Sequence, residues 1–204
     1  MQLALTTSTA DQRSSEILAS VRQAFAEKGF DGASMQDLAR AAGISVGSFY
    51  RYFPSKAAIV EALIAFDLAE MERDFAEILH SPRPMQALRA KLRQIIPEHQ
   101  CNQDGQLWAE ITAAALRKPE IGAAACRMEH QIVGYMSRVF AADTGLTVDE
   151  TRQRFASHST FIVMLVKSSA AVNRETPDLD LLNDLIFRTI DQTLDDVARA
   201  ALKA

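Results

Sequence analysis

Apolar residues recur at intervals of three and four along nearly the whole 204-residue chain, the period of a helix that turns one face inward. A many-stranded fold needs turn residues at short intervals, and 8 Gly and 6 Pro are too few to supply them. The pattern predicts an all-α fold of about nine helices, with no strand. The first starts near Asp11, carries Ile17, Val21, Ala24 and Phe25 on one face, and ends at Gly29. Ser34, with Asp37 three residues on, caps a short helix that Gly43 breaks, and Ser45 caps another reaching Tyr52. Pro54 precedes a long helix from Ser55 to about His80, with Val60, Ile64, Met71, Phe75 and Leu79 inward. Further helices are expected over Met85 to Ile96, Gly105 to Arg117 and Glu120 to Ala142, with breaks at Pro97, Pro119 and Gly145. The last two run from Val148 to about Arg174 and from Leu179 to Leu202.

Basic and acidic residues number 22 and 26, a net charge of −4, which argues against nucleic-acid binding by bulk charge alone. With 48% hydrophobic and 24% charged residues the composition is that of a soluble globular protein. Two cysteines, Cys101 and Cys126, cannot build a disulfide framework. The opening MQLALTTSTA lacks the features of a secretion signal, and unbroken apolar runs such as Phe161 to Val166 are far too short to span a bilayer. The expectation is a cytoplasmic protein with no membrane contact.

Residues 34–56 read SMQDLARAAGISVGSFYRYFPSK. Two short helices joined by a glycine-containing turn match the helix-turn-helix unit. Small residues at Ala39 and Gly43 permit close crossing, while Leu38, Ile44 and Phe49 fill the space beneath. Phe49-Tyr50-Arg51-Tyr52-Phe53-Pro54-Ser55-Lys56 then leads into the apolar segment AAIVEAL. With Phe25, Gly29, Ala39, Gly43, Tyr50, Phe53 and Lys56 as anchors, residues 17–63 resemble the tetracycline-repressor (TetR) family of bacterial transcription regulators. Beyond Leu63 the resemblance is one of architecture.

That resemblance implies a DNA-binding domain at 11–54 after a flexible tail at 1–10, and a helical ligand-binding and dimerisation domain at 55–204. The second helix of the unit enters the major groove, so Ser45, Val46, Gly47, Ser48, Arg51 and Tyr52 are expected at or near DNA. Tyr50 resembles the family's phosphate-contacting position, and Lys56 the one that fixes the backbone from the next helix. Gln36 reads an adenine edge or binds a phosphate, and Ser34 at its helix N-terminus suits a phosphate oxygen. Phe49 and Phe53 are expected in the core. Residues 1–56 hold six basic and five acidic groups, so the segment is only +1, and binding should depend on salt with a shallow slope.

The implied function is a homodimeric, ligand-responsive regulator, most often a repressor, on palindromic double-stranded DNA. No cofactor or metal is expected, and the protein is not expected to be an enzyme. Trp108, Met128, His130 and Tyr135 are candidates to line an effector pocket, although core packing explains them about as well. Excess apolar surface on the last two helices suggests a dimer contact through Phe161, Ile162, Leu165, Leu182, Ile186, Ile190 and Leu194. The alternative is burial of those residues in a larger monomer core. Other readings are a DNA-binding dimer without a ligand, and a metal-binding protein or enzyme using His99, Cys101, Cys126 or His130.

Overall fold

The computed structural model describes residues 9–101, 104–172 and 175–201. Among these the chain is all-α, with nine helices: α1 (Thr9–Lys28), α2 (Met35–Ala41), α3 (Val46–Tyr52), α4 (Lys56–His80), α5 (Pro84–Cys101), α6 (Asp104–Ala115), α7 (Pro119–Thr144), α8 (Val148–Ala170) and α9 (Leu179–Ala201). The expected tail falls mostly on residues 1–8, outside the described residues, and Thr9 and Ala10 already belong to α1. The helix expected to reach about Arg174 instead ends at Ala170, capped at Ala171, and the end expected at Leu202 lies outside the described residues. No described helix is long and apolar enough to cross a membrane.

Local chemistry sets these boundaries. Gly29 lies at φ +73° and its N–H donates to the Phe25 carbonyl at 2.9 Å, closing α1 in a conformation that a side chain disfavours. Gly43 at φ +65° does the same after α2, where the Ile44 N–H returns to the Ala39 carbonyl at 3.1 Å. Ser34 with Asp37, and Thr147 with Glu150, form reciprocal capping boxes at α2 and α8.

The expected break at Pro97 does not occur: α5 runs through it to Cys101. The missing N–H weakens one turn, but tertiary contacts hold the remainder. Ile96 is fully buried, and Gln100 exchanges two amide hydrogen bonds with Asn183 of α9, at 2.9 and 3.1 Å.

The chain divides into two compact units. One comprises Met1–Phe66 and Leu107–Ala124, the other Asp67–Gln106 and Ala125–Ala204. Packing therefore divides elsewhere than after Pro54. In the first unit the buried residues of α1–α3 are joined by Ile59, Val60, Leu63 and Ile64 of α4 and by Leu107, Ile111 and Ala114 of α6. The reason is size, because a segment of about 40 residues cannot enclose a sufficient core alone.

The second unit buries Ile78, Leu88, Leu92, Ile96, Met136, Val139, Phe140, Phe155, Ile162, Val163, Ile190, Leu194 and Val197 in one cluster, with α5, α8 and α9 packed on each other. This corrects three of the residues expected at a dimer contact. Ile162, Ile190 and Leu194 are core, as the monomer-burial alternative had it. Leu165 and Ile186 are half-buried against the same cluster, and Leu182 is half-buried. The apolar side chains that α8 and α9 leave exposed are Phe161, Met164, Leu181 and Leu185. Helical periodicity identifies both faces of α8 as apolar, but only the packing of α5 and α9 selects the one taken internally.

Candidate nucleic-acid interface

Helix α3 separates its residues cleanly. Phe49 is fully buried and packs on Phe53 with the rings tilted and their centroids 5.5 Å apart, so the helix is pinned from below. The rest of the segment is largely exposed: Ser45, Val46, Gly47, Arg51, Tyr50 at 47% and Tyr52 at 45%, with Ser48 half-buried among them. A Cβ added at Gly47 would meet nothing within 4 Å. Nothing in the protein's own packing requires glycine there, and its bare backbone leaves room for a close approach from outside.

Hydroxyls organise this surface. The Ser45 Oγ caps α3 by accepting from the Ser48 N–H at 3.1 Å, and donates to the Ser48 Oγ at 2.9 Å. Arg51 Nη2 donates to the same Ser48 oxygen at 3.1 Å. A single hydrogen bond from an exposed guanidinium to an uncharged hydroxyl is readily exchanged for a guanine edge or a phosphate, which offer bidentate geometry or an anionic acceptor.

Two expected phosphate contacts are already engaged. The Lys56 Nζ donates to the carbonyls of Phe30 at 2.7 Å and Asp31 at 3.0 Å, tying the start of α4 to the turn after α1. Burial, with the nearby Lys118 cation adding, lowers its pKa below the usual lysine range. At α2, the Asp37 carboxylate accepts from the Ser34 N–H at 3.0 Å and from its hydroxyl at 2.5 Å. Ser34 is exposed but its hydrogen bonds are spent, whereas the neighbouring Gln36 side chain is exposed.

Lys28, 2.6 Å from Asp37, then the Ser34 hydroxyl and amide, hold the Asp37 carboxyl well below the usual carboxylate range. A carboxyl whose pKa is depressed on folding contributes stability above its unfolded value, lost as the pH falls through the folded one. Asp37→Asn should therefore be less stable at neutral pH, and its loss of stability on acidification below about pH 4 should be shallower than in the wild type. Urea unfolding midpoints measured across that range check this; parallel curves would remove Asp37 from the pH dependence.

The four expected pocket residues fall in both compact units. Trp108 belongs to the first compact unit, while Met128, His130 and Tyr135 belong to the second. His130 is exposed, its Nδ1–H donating to the Cys126 carbonyl at 2.9 Å with the Cys126 Sγ at 3.5 Å. Tyr135 stacks on Phe75 at 5.2 Å, with the Arg138 guanidinium 4.7 Å from its ring. Burial, and then the Glu72 carboxylate, raises its pKa. Two grooves, about 590 and 300 Å³, lie elsewhere in the second unit. The larger holds Arg89, Arg93 and Asp191, the smaller Asp74 and Lys91. Their charges are paired, Arg89 with Asp191 at 2.8 Å and Lys91 with Asp74 at 2.9 Å. Of the residues weighed for metal or enzyme chemistry, His99 is half-buried and the Cys101 side chain lies outside the described residues. Among the described residues no three His, Cys, Asp or Glu side chains gather as metal ligands.

Residues 17–63 match the family model for bacterial regulatory proteins of the tetR family. The HTH-type transcriptional regulator UidR of Escherichia coli is 31% identical over 108 residues, covering 52% of this chain and 54% of UidR. Residues 17–63 thus carry a DNA-binding segment of the tetR type. The match spans about half the length of UidR. EthR of Mycolicibacterium smegmatis is 46% identical over 54 residues, 26% of this chain and 25% of EthR. These relatives are transcriptional regulators, not enzymes. Across nearly the whole chain the fold is shared with Salmonella enterica GusR, at a TM-score of 0.74 and 22% identity over 93% of this chain and 98% of that one. FadR from Bacillus subtilis, solved in complex with stearoyl-CoA, superposes with a TM-score of 0.63 at 14% identity, over 90% of this chain and 97% of FadR.

One group of polar residues in the first unit escaped the sequence reading. Glu110, Arg117 and Lys118 all bond to the turn at Phe30 and Asp31. They are about 80 residues distant in sequence, beyond the reach of any local signal.

Proposed function

We propose that this protein is a cytoplasmic, homodimeric transcriptional repressor that inserts α3 into the major groove of a roughly palindromic duplex and is released by a small effector. The observation that supports the reading is the contrast within α3, with Phe49 buried while Val46, Tyr50, Arg51 and Tyr52 are exposed. Val46 suits a thymine methyl and Arg51 a guanine edge or phosphate. Ser45, Gly47, Ser48 and Gln36 complete the contact, with Tyr50 on a phosphate. Lys56 acts by holding the α1–α2 turn, and Ser34 by capping α2.

Two copies of α3 must be held at a separation that fits successive grooves, about 34 Å or a related multiple. The exposed apolar side chains of α8 and α9, Phe161, Met164, Leu181 and Leu185, suit that contact. The effector is assigned to the second unit, where the Phe75–Tyr135 pair offers an aromatic wall. A compound that binds the DNA-free state better must lower DNA affinity by the same factor by which DNA lowers its own.

The test is selection of duplexes from a random-sequence pool, followed by gel-shift titration. Wild-type protein should enrich a sequence with two-fold symmetry. Arg51→Ala should weaken its binding by roughly 1–3 kcal/mol if the guanidinium reads a base, with relaxed preference at one position in each half-site. Failure to enrich any duplex would refute the assignment. Thermal-shift screening with and without the selected duplex then finds effectors, since a true one stabilises the free protein and releases DNA.

A further inference from the structure

The turn between α1 and α2 is gripped from three directions by residues distant in sequence. The Phe30 N–H donates to Glu110 Oε2 of α6 at 2.9 Å. Asp31 receives Arg117 Nη2 at 2.8 Å and Lys118 Nζ at 2.6 Å, both from the corner between α6 and α7. Lys56 of α4 donates to the carbonyls of Phe30 and Asp31. Two ammonium groups lie over the buried Phe30 ring, Lys118 at 4.8 Å and Lys56 at 5.4 Å from its centroid.

The energetics of these contacts point to position rather than stability. Arg117, Lys118 and Asp31 are all a third or more exposed, and pairs of that kind add little to folding. Geometry is another matter. Asp31 stands three residues before the Ser34 cap of α2, and α2 packs directly on both α1 and α3. The turn therefore sets where α2 begins, and α2 sets where α3 stands.

We propose that Arg117 and Lys118 are positioning residues for the DNA-reading helix, acting through Asp31. The α6–α7 corner is a latch that holds the α1–α2 turn, and through it α3, in the binding arrangement. This rests on the DNA-binding reading above. A rival account is direct: the same two cations touch phosphates, and Asp31 merely neutralises them.

The two accounts predict opposite signs for one substitution. Asp31→Asn removes an anion and adds one unit of positive charge. As a latch variant it should bind the selected duplex about tenfold more weakly, with the slope of log Kd against log salt unchanged. Asp31→Glu, which keeps the charge, should recover most of the loss. If the cations contact phosphate, Asp31→Asn should bind as well or better, and Arg117→Gln or Lys118→Gln should each lower the salt slope by about 1. Either of those results overturns the latch.

A DNA-free readout separates this idea from the function it rests on. In Asp31→Asn, amide hydrogen exchange over residues 30–52 should quicken while the melting temperature barely changes. Unchanged exchange in that segment overturns the latch whether or not a duplex has been selected. A wild-type chain that selects no duplex sinks the DNA-binding reading, and the exchange comparison then decides the latch alone.

Discussion

Met164→Asp combined with Leu185→Asp should sediment as a folded monomer, while Ile162→Asp should not fold. Met164 and Leu185 are 59% and 53% exposed, and a charge on a free surface costs a protein little. If a second copy covers that surface, two carboxylates per chain enter an apolar contact and must be desolvated without a partner. Association is then lost while the second unit's own core stays intact. Ile162, on the same helix, is 1% exposed within the cluster that includes Phe155 and Leu194. A carboxylate there loses the packing of the isoleucine and buries a charge, a change that exceeds about 4 kcal/mol. Sedimentation velocity with circular dichroism distinguishes the outcomes. A double variant that remains dimeric would show that α8 and α9 meet their partner through some other surface.

Neighbouring residues on α3 should fail in opposite ways. Phe49→Ala removes a fully buried ring next to Phe53 and should cost about 3–5 kcal/mol, abolishing DNA binding by loosening the first unit. Tyr50→Ala removes a side chain that is nearly half exposed, and should leave the melting temperature almost unchanged while weakening the selected duplex. Differential scanning calorimetry beside gel-shift titration gives both numbers. Equal loss of stability in the two variants would mean that Tyr50 supports the fold rather than the interface.

The helix-turn-helix unit was legible because its signals are local. Ser34 and Asp37 satisfy each other three residues apart, Ser45 caps α3, and Gly29 and Gly43 take positive φ at the turns. Each of these follows from residues within one or two helical turns, so reading along the chain recovers it. Pro97 misled for the same reason. A local rule breaks the helix there, while Ile96 and the Gln100–Asn183 amide pair hold it from outside the local window.

Burial on α8 was ambiguous from periodicity. Phe161 and Ile162 are both apolar and adjacent, so each lies on a plausible inner face; contact with α5 and α9 leaves one out and takes the other in. Trp108, Met128, His130 and Tyr135 share aromatic or sulfur-bearing character, but composition cannot tell which compact unit a helix segment joins.

Taken alone, the order of residues determined the helices, most of their ends and the helix-turn-helix segment, because backbone hydrogen bonding and capping are satisfied over short stretches of chain. Only the tertiary structure decided that Leu107–Ala124 belongs with the N-terminal helices, that Lys56 is spent on internal bonds, and that Arg117 and Lys118 grip Asp31. Those outcomes depend on which surfaces bury one another across some 25 to 90 residues of chain. Burial is a property of the whole packed unit and leaves no periodic trace in the segment that undergoes it.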